Sequence, residues 1–571
     1  MKGKFKKIAF KRWWLVLALL VGLVFGFYHW VIPSLWGIDN YSALSLNQQS
    51  PSFAVDETIF YGSKVQEILD GHWQLGDVMI WEYKDKASPF IGEWLVTVIM
   101  AGLSEIGGGV NQGFMLADFI WPAIAFLILT SLIYSLTKRE DLAAIGALMV
   151  MFLANYLSYF PYLPSVARLM YRAIFRGTYS PLIRSFHPQI SLSFFVGWML
   201  VLWLMVKTKQ GEKYWWLVGI GLAGLVYSHF FYWTFALAFL GLYFFRYQKR
   251  VAKALGLAGV LTLPYWLRLY QFKQSALSED FLAKVNYQPG LGWKTLGLLI
   301  LGFLVSLLVV KKKNLSNFWQ RFYLTGLILI GVSAMIKLGL DDPIGHWLIR
   351  VIYPMTVVLV MVIVAERVKK LPEWLSILLV LILMGYQARV HWQYFKHQAR
   401  AFQIEPERLE LFEWLNHNTE KDSVVITSSL KDNLYLPVYT HNNVFIPRAQ
   451  LSLAPTGEAL ERFLTVNKLA GTSEEELRRM FLENKDLKAK KRFEFDNCAG
   501  VYLYFRQYAG SDYYNCSVPE EKLDQILAEY DEVEPSLSKW RADYWLTQSD
   551  KQIFANWPLV WENKKYQVYK L

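Results

Sequence analysis

The sequence predicts a polytopic α-helical membrane protein of about eleven spans, with helices lying along the outer membrane face and a small C-terminal α/β domain outside the bilayer. Three observations lead there. Hydrophobic residues make up 54% of the 571 residues and charged residues only 19%, below the roughly 25% of soluble chains. The apolar residues fall in runs long enough to cross a bilayer, and the basic residues gather in the short connectors between those runs. After about residue 390 the chain turns polar and acidic. The +12 net charge therefore belongs to membrane-facing connectors and not to a nucleic-acid surface. With 2 cysteines there is neither a disulfide scaffold nor a zinc ribbon.

The elements follow in order. Lys2, Lys4, Lys6, Lys7, Lys11 and Arg12 precede the run Trp13–Ile32, whose length of about 30 Å spans the hydrocarbon core. It reads as an uncleaved anchor with a cytoplasmic N-terminus. Further apolar runs lie near 89–106, 113–136, 141–157, 189–206, 214–245, 254–270, 293–310, 319–337, 346–365 and 373–388. Lys138-Arg139, Lys207 to Lys213, Arg246 to Lys253, Lys311 to Lys313 and Arg367 to Lys370 are short basic connectors, expected in the cytoplasm. By parity, 214–245 must then hold two short helices with a turn near Tyr227-Ser228-His229, against the alternative of one long helix. Residues 89–106 carry Glu93 and Glu105 and end in three glycines, which favours an outer-face helix over a span. The transmembrane module is expected over 1–390, with a first outer loop at 34–112, and the C-terminal domain over 391–571. A bacterial plasma membrane is the expected location.

In the C-terminal domain, Glu407–Asn416 and Glu474–Glu483 read as helices, and Ser423–Ser428, Asp543–Thr547 and Tyr566–Tyr569 as strands. Cys498 and Cys516 lie in it, paired or free. No internal repeat is visible.

The first outer loop, about 80 residues long, is where a site is expected. From Asp56 on, Ile59, Phe60, Val65, Ile68 and Leu69 recur near helical spacing, as in an amphipathic helix on the membrane. Asp56 sits near its N-cap, so capping alone accounts for its carboxylate. Beyond the loop, Arg168, Arg172 and Arg176 recur every four residues on one helix face. Such a row suits anionic headgroups, whether bulk lipid or one ligand phosphate. Arg184, His187 and Gln189 lie at the start of the next apolar run. Asp118 lies inside a span, costly unless paired or wet. His229 reads as an interface histidine or a site residue, and Asp341-Asp342 as a solvated turn or a divalent-cation site.

Asp56-Glu57, then Tyr61, then Ile68-Leu69-Asp70-Gly71-His72-Trp73, all after a first anchor with a basic end, resembles the first outer loop of GT-C glycosyltransferases, in particular protein O-mannosyltransferases and aminoarabinose transferases of lipid A. Lys84-Asp-Lys86-Ala-Ser88-Pro89 through Trp94-Leu95 is similar to the loop continuation in those families, with Ser88-Pro89 in place of a double proline. The resemblance covers about residues 1–136 by motif. It implies a GT-C-like fold and inverting transfer of a hexosyl or pentosyl group from a polyprenyl-phosphate donor to a glycan, lipid or protein acceptor at the outer face. Asp56 would be the general base and Glu57 its neighbour. Arg184, His187 and Gln189, with Arg172, Arg168, Lys84 and Lys86 as further candidates, would bind the donor phosphate. Tyr61, Asp118 and His229 are possible accessory residues. No cofactor is implied beyond a possible divalent cation, and no nucleic acid. A transporter of lipid-linked intermediates and a non-catalytic glycan-assembly protein are the competing readings.

Overall fold

The computed structural model describes residues 12–44, 57–154, 168, 170–171, 184–207, 209–285, 293–336, 346–398, 402–482, 499–504, 518–549 and 556–571. Among them, the helices Pro89–Gly107, Val110–Thr137, Ser185–Lys207, Leu348–Arg367 and Glu373–Lys396 are long and apolar enough to cross a membrane, and Arg12–Gly26 with Tyr28–Trp36, bent by 43°, makes a sixth candidate. The chain is a membrane protein.

The basic connectors meet at one end of the bundle. Arg139 donates to the carbonyls of Val368 and Lys369, Lys207 to Ser135 O, and Arg250 to Met205 O. The Lys311 and Lys312 amides donate to Glu366, and Arg367 to Val309 O. Capping of helix C-termini by cations satisfies carbonyls that have no intrahelical partner.

Residues 214–245 turn back on themselves, as parity requires. Trp215–Val226 ends at Tyr227, His229 caps the next helix by accepting from Phe231 N, and that helix runs Phe230–Leu261 with a break at Tyr247 (φ −130°, ψ 39°). After the break the chain returns. A Cβ on Gly219 would touch Ala254 O and Leu257, and Tyr227 OH donates to Leu261 O. The run beginning near 254 therefore ascends beside Trp215–Val226, and continues past Thr262 as Leu263–Gln274, whose Leu263, Leu267 and Tyr270 are exposed.

The helix Trp94–Gly107 meets the opposite, domain-bearing end along its length. Leu95 N donates to Tyr227 O at the hairpin turn, and Ser104 lies against Gly113 near the start of Val110–Thr137. Sequence patterning sets this helix on the outer face; by length and composition it stands among the candidate spans.

The C-terminal domain is a five-stranded sheet, ordered β2-β1-β3-β5-β4, of β1 Val424–Ile426, β2 Asn443–Val444, β3 Tyr544–Gln548, β4 Leu559–Glu562 and β5 Tyr566–Lys570. β1 runs parallel to β2 and β3, while β5 is antiparallel to β3 and β4. Helices Pro406–Asn418 and Glu474–Phe481 form where sequence patterning placed them, the second closed by a Ser473/Glu476 capping box. Cys498 and Cys516 lie outside the described residues.

The first loop and this domain share one core. Tyr61, Val65, Ile68, Val78, Met79 and Phe90 pack with Val425, Leu434, Val444 and Phe463. Val444 N donates to Met79 O, so the loop covers the β2 edge. Asp77 accepts from Met79 N, Ile80 N, Ser452 Oγ and Leu453 N. A Cβ on Gly76 would lie 1.6 Å from Lys84 O, so only glycine fits this turn.

Candidate active site

The chain enters the site through a π-helical turn, Glu57–Gly62, that leads into the helix Ser63–Leu69. Asp56 lies outside the described residues, and only the backbone of Glu57 is described. Tyr61 stacks on Phe186, with ring centroids 4.4 Å apart and 14° between planes. Its hydroxyl accepts from Arg184 at 3.3 Å, and both the Arg184 guanidinium and the Lys64 ammonium sit over its ring, 5.6 and 5.5 Å from the centroid.

Lys64 pairs with Glu93, whose other oxygen lies 3.3 Å from His187 Nε2. The remaining His187 nitrogen is 3.0 Å from Ser191 Oγ. The His187 and His229 rings lie edge to face at 4.1 Å. His346, stacked on Phe231 beside His229, and Arg350, which donates to His346 Nδ1 at 3.1 Å, complete the group. Among the described side chains this cluster holds two guanidiniums and an ammonium against one carboxylate, Glu93, with three imidazoles beside them. Such a surplus suits an anion with several acceptor oxygens.

A buried knot holds the cluster in place. Asp118 accepts from Ser185 Oγ and Gln189 Nε2, each at 2.8 Å, and meets His29 Nε2 at 2.9 Å. His29 Nδ1 in turn lies 2.6 Å from Tyr41 OH. Asp118 thus has its lone pairs taken by neighbouring helices, which answers the cost of a carboxylate at this depth. Gln189 serves this knot, two residues on from His187.

The other sequence candidates fall elsewhere. Lys84 is buried at the joint with the C-terminal domain, where its ammonium meets Asp422 at 2.6 Å, Asn443 at 2.9 Å and Glu67 at 3.0 Å. Its charge is spent on that joint. Lys86 and Arg168 are exposed. Arg172 and Asp341-Asp342 lie outside the described residues. Among the described residues no group of three or more His, Cys, Asp or Glu is placed to hold a metal ion.

Lys64, Glu93, His346 and Arg350 join the site without having been expected there from the sequence. The available signal was an ionisable residue inside or beside an apolar run: Glu93 in 89–106, and His346 with Arg350 at helical spacing at the head of 346–365.

No protein-family model and no curated protein matches the chain. Among solved structures it is similar to ArnT from Cupriavidus metallidurans bound to undecaprenyl phosphate, at 11% identity over 98% of each chain, with a TM-score of 0.46. It is also similar to the archaeal oligosaccharyltransferase AglB from Archaeoglobus fulgidus, in complex with an inhibitory peptide and a dolichol-phosphate, at 9% identity over 94% of this chain and 69% of that one, with a TM-score of 0.41. Likeness at this level gives no residue a role.

Proposed function

We propose that this protein is a membrane glycosyltransferase of GT-C type that takes a sugar from a polyprenyl-phosphate donor and passes it to an acceptor at the outer membrane face, with inversion. The observation that carries the reading is the convergence of Arg184, Lys64 and His187 on Tyr61, in the element that begins at Glu57, with His229 against His187 and Arg350 beyond it beside His346. An acceptor hydroxyl oxygen attacks the anomeric carbon, and the bond from that carbon to the phosphate oxygen breaks. The hydroxyl proton passes to Asp56 as general base, with Glu57 beside it. The electron pair leaves on the lipid phosphate, whose growing charge meets Arg184 and Arg350. His229, whose Nδ1 accepts from Phe231 N, supplies a hydrogen bond to the same group through Nε2. His187, bonded to Glu93 and Ser191, holds that ring in place, and Tyr61 and Glu93 orient the cations. Gln189 and Asp118 position Ser185 and, through it, the neighbouring Arg184. Arg168 and Lys86, both exposed, and Arg172, four residues on from Arg168 in the sequence, are assigned to the lipid headgroup region.

Transfer of labelled sugar from a panel of polyprenyl-phosphate donors, by wild type beside Asp56→Asn, tests this. Transfer by the wild type that is lost in a normally folded Asp56→Asn supports it. Equal transfer by both removes Asp56 from the chemistry. No transfer from any donor leaves transport or assembly as the better explanation.

A further inference from the structure

A second cavity lies between the membrane module and the C-terminal domain. It has a volume of about 490 Å³ and is walled by the turn after the first anchor, the Gly108-Gly109 turn, the far end of Ser63–Leu69, and the two helices Pro406–Asn418 and Leu430–Tyr439. Among the described residues no lysine or arginine lines it, which disfavours a phosphate ligand. Its lining mixes amides, hydroxyls, Asp70 and His441 with the tyrosine rings of Tyr41 and Tyr439 and a few aliphatic side chains, too polar a wall for an acyl chain. Much of the wall is fixed by its own bonds: Ser42 Oγ meets Asn111 Oδ1 at 3.1 Å and Tyr439 OH at 2.5 Å, and Asn416 donates to Tyr439 O. In contrast, the Asn40 and Gln112 side-chain amides, both exposed at the rim, have no hydrogen-bond partner among the described residues.

Fixed tyrosine rings, fixed amides and two uncommitted amides, with no lysine or arginine among the described lining residues, match a neutral polyhydroxylated ligand. Hydroxyls need donors and acceptors together, which amides supply, and the C–H faces of a sugar ring pack on aromatic rings. The cavity also adjoins the cation cluster. Gln66 and Asp70 line it from the helix that carries Lys64 toward the cluster, and Tyr41 lines it while joining His29 and Asp118 in the knot below Arg184.

We propose that this cleft binds a neutral saccharide and that the acceptor is therefore a glycan, held between the first outer loop and the C-terminal domain. The role as acceptor rests on the transferase reading, whereas the binding itself does not.

The test uses the full-length protein in lipid nanodiscs and an array of neutral hexose and N-acetylhexosamine oligosaccharides, with uronic-acid oligosaccharides alongside. The variants are Asn40→Gly with Gln112→Ala, and Gln112→Trp, which fills the rim. Glycine suits Asn40, whose φ is 55°. Retention of polyprenyl phosphate is measured on the same samples. The expected result is retention of neutral glycans by wild type, at least tenfold weaker in both variants, with polyprenyl-phosphate retention unchanged. Retention of no neutral glycan, preference for the acidic ones, equal retention by the variants, or loss of lipid phosphate together with glycan would each overturn the proposal. Failure of the wild type to hold polyprenyl phosphate, with neutral glycans still bound at the cleft, would instead count against the transferase reading alone.

Discussion

Glu67 and Asp422 share one ammonium, that of Lys84, at the joint between the first loop and the C-terminal domain. Burial pushes the Glu67 carboxyl up to about 8, an effect that Lys84 only partly offsets. Against its own burial, Asp422 is held below the usual carboxylate range by Lys84 and then His72. At neutral pH the proton therefore belongs to Glu67 and the negative charge to Asp422. A carboxyl whose pKa is raised on folding stabilises fully below its unfolded value, and that contribution is lost as pH rises through the folded value. Between about pH 4.5 and 8 the wild type should lose stability that Glu67→Gln keeps, with a gap on the order of 5 kcal/mol at pH 9. Parallel thermal-unfolding profiles for the two proteins would contradict this. Lys84→Met leaves Asp422 beside Glu67 without its cation, and should cost about 3 kcal/mol. The loss should register both in thermal unfolding and in faster proteolysis of the first loop. Arg184→Ala should leave unfolding nearly unchanged yet raise the donor KM tenfold or more, a direct kinetic check on its phosphate role.

At the scale of elements, the short helix Ser63–Leu69 does two jobs, its first turn serving the site and the rest of it the joint. Tyr61, just before it, and Lys64 turn to the cation cluster, while Val65, Glu67 and Ile68 are buried at the joint. The first anchor does a third job. A Cβ on Gly26 would come within 2.6–2.8 Å of Phe119, so only glycine lets the two helices approach closely enough for His29 to reach Asp118. Gly26→Val should lower the unfolding temperature and weaken polyprenyl-phosphate retention together, since Ser185 and Gln189 hang on the same carboxylate. Unchanged retention in a destabilised variant would separate the knot from the site. Element by element, what was legible depended on contrast. Apolar runs bounded by lysines gave the helices, and β-branched or aromatic runs gave β1, β3 and β5. β4 was not legible because its Leu559 and Val560 are both exposed, with no alternation to mark a buried face. β2 is two residues long.

Across the whole molecule, the basic connectors gather at one end and the ionisable residues of the site at the other, as the charge pattern implied. Arg184 and His187 were legible as polar residues at the head of an apolar run. Lys64 and Arg350 were not, because more than a hundred residues separate each from Arg184 and no local pattern announces a meeting made by the fold. The union of the first loop with the C-terminal domain was equally hidden. It rests on single side chains such as Asp77 and Lys84, whose partners lie more than 330 residues away. That union fixes the element that begins at Glu57 against the cation cluster, and the proposed chemistry requires the cluster to hold a lipid phosphate. The most direct measurement is retention of polyprenyl phosphate by the purified full-length protein, followed by native mass spectrometry, for wild type, Arg184→Ala and Arg350→Ala. One lipid phosphate per wild-type chain is expected, with occupancy reduced at least tenfold in both variants. Equal occupancy in all three, or none in the wild type, would contradict it.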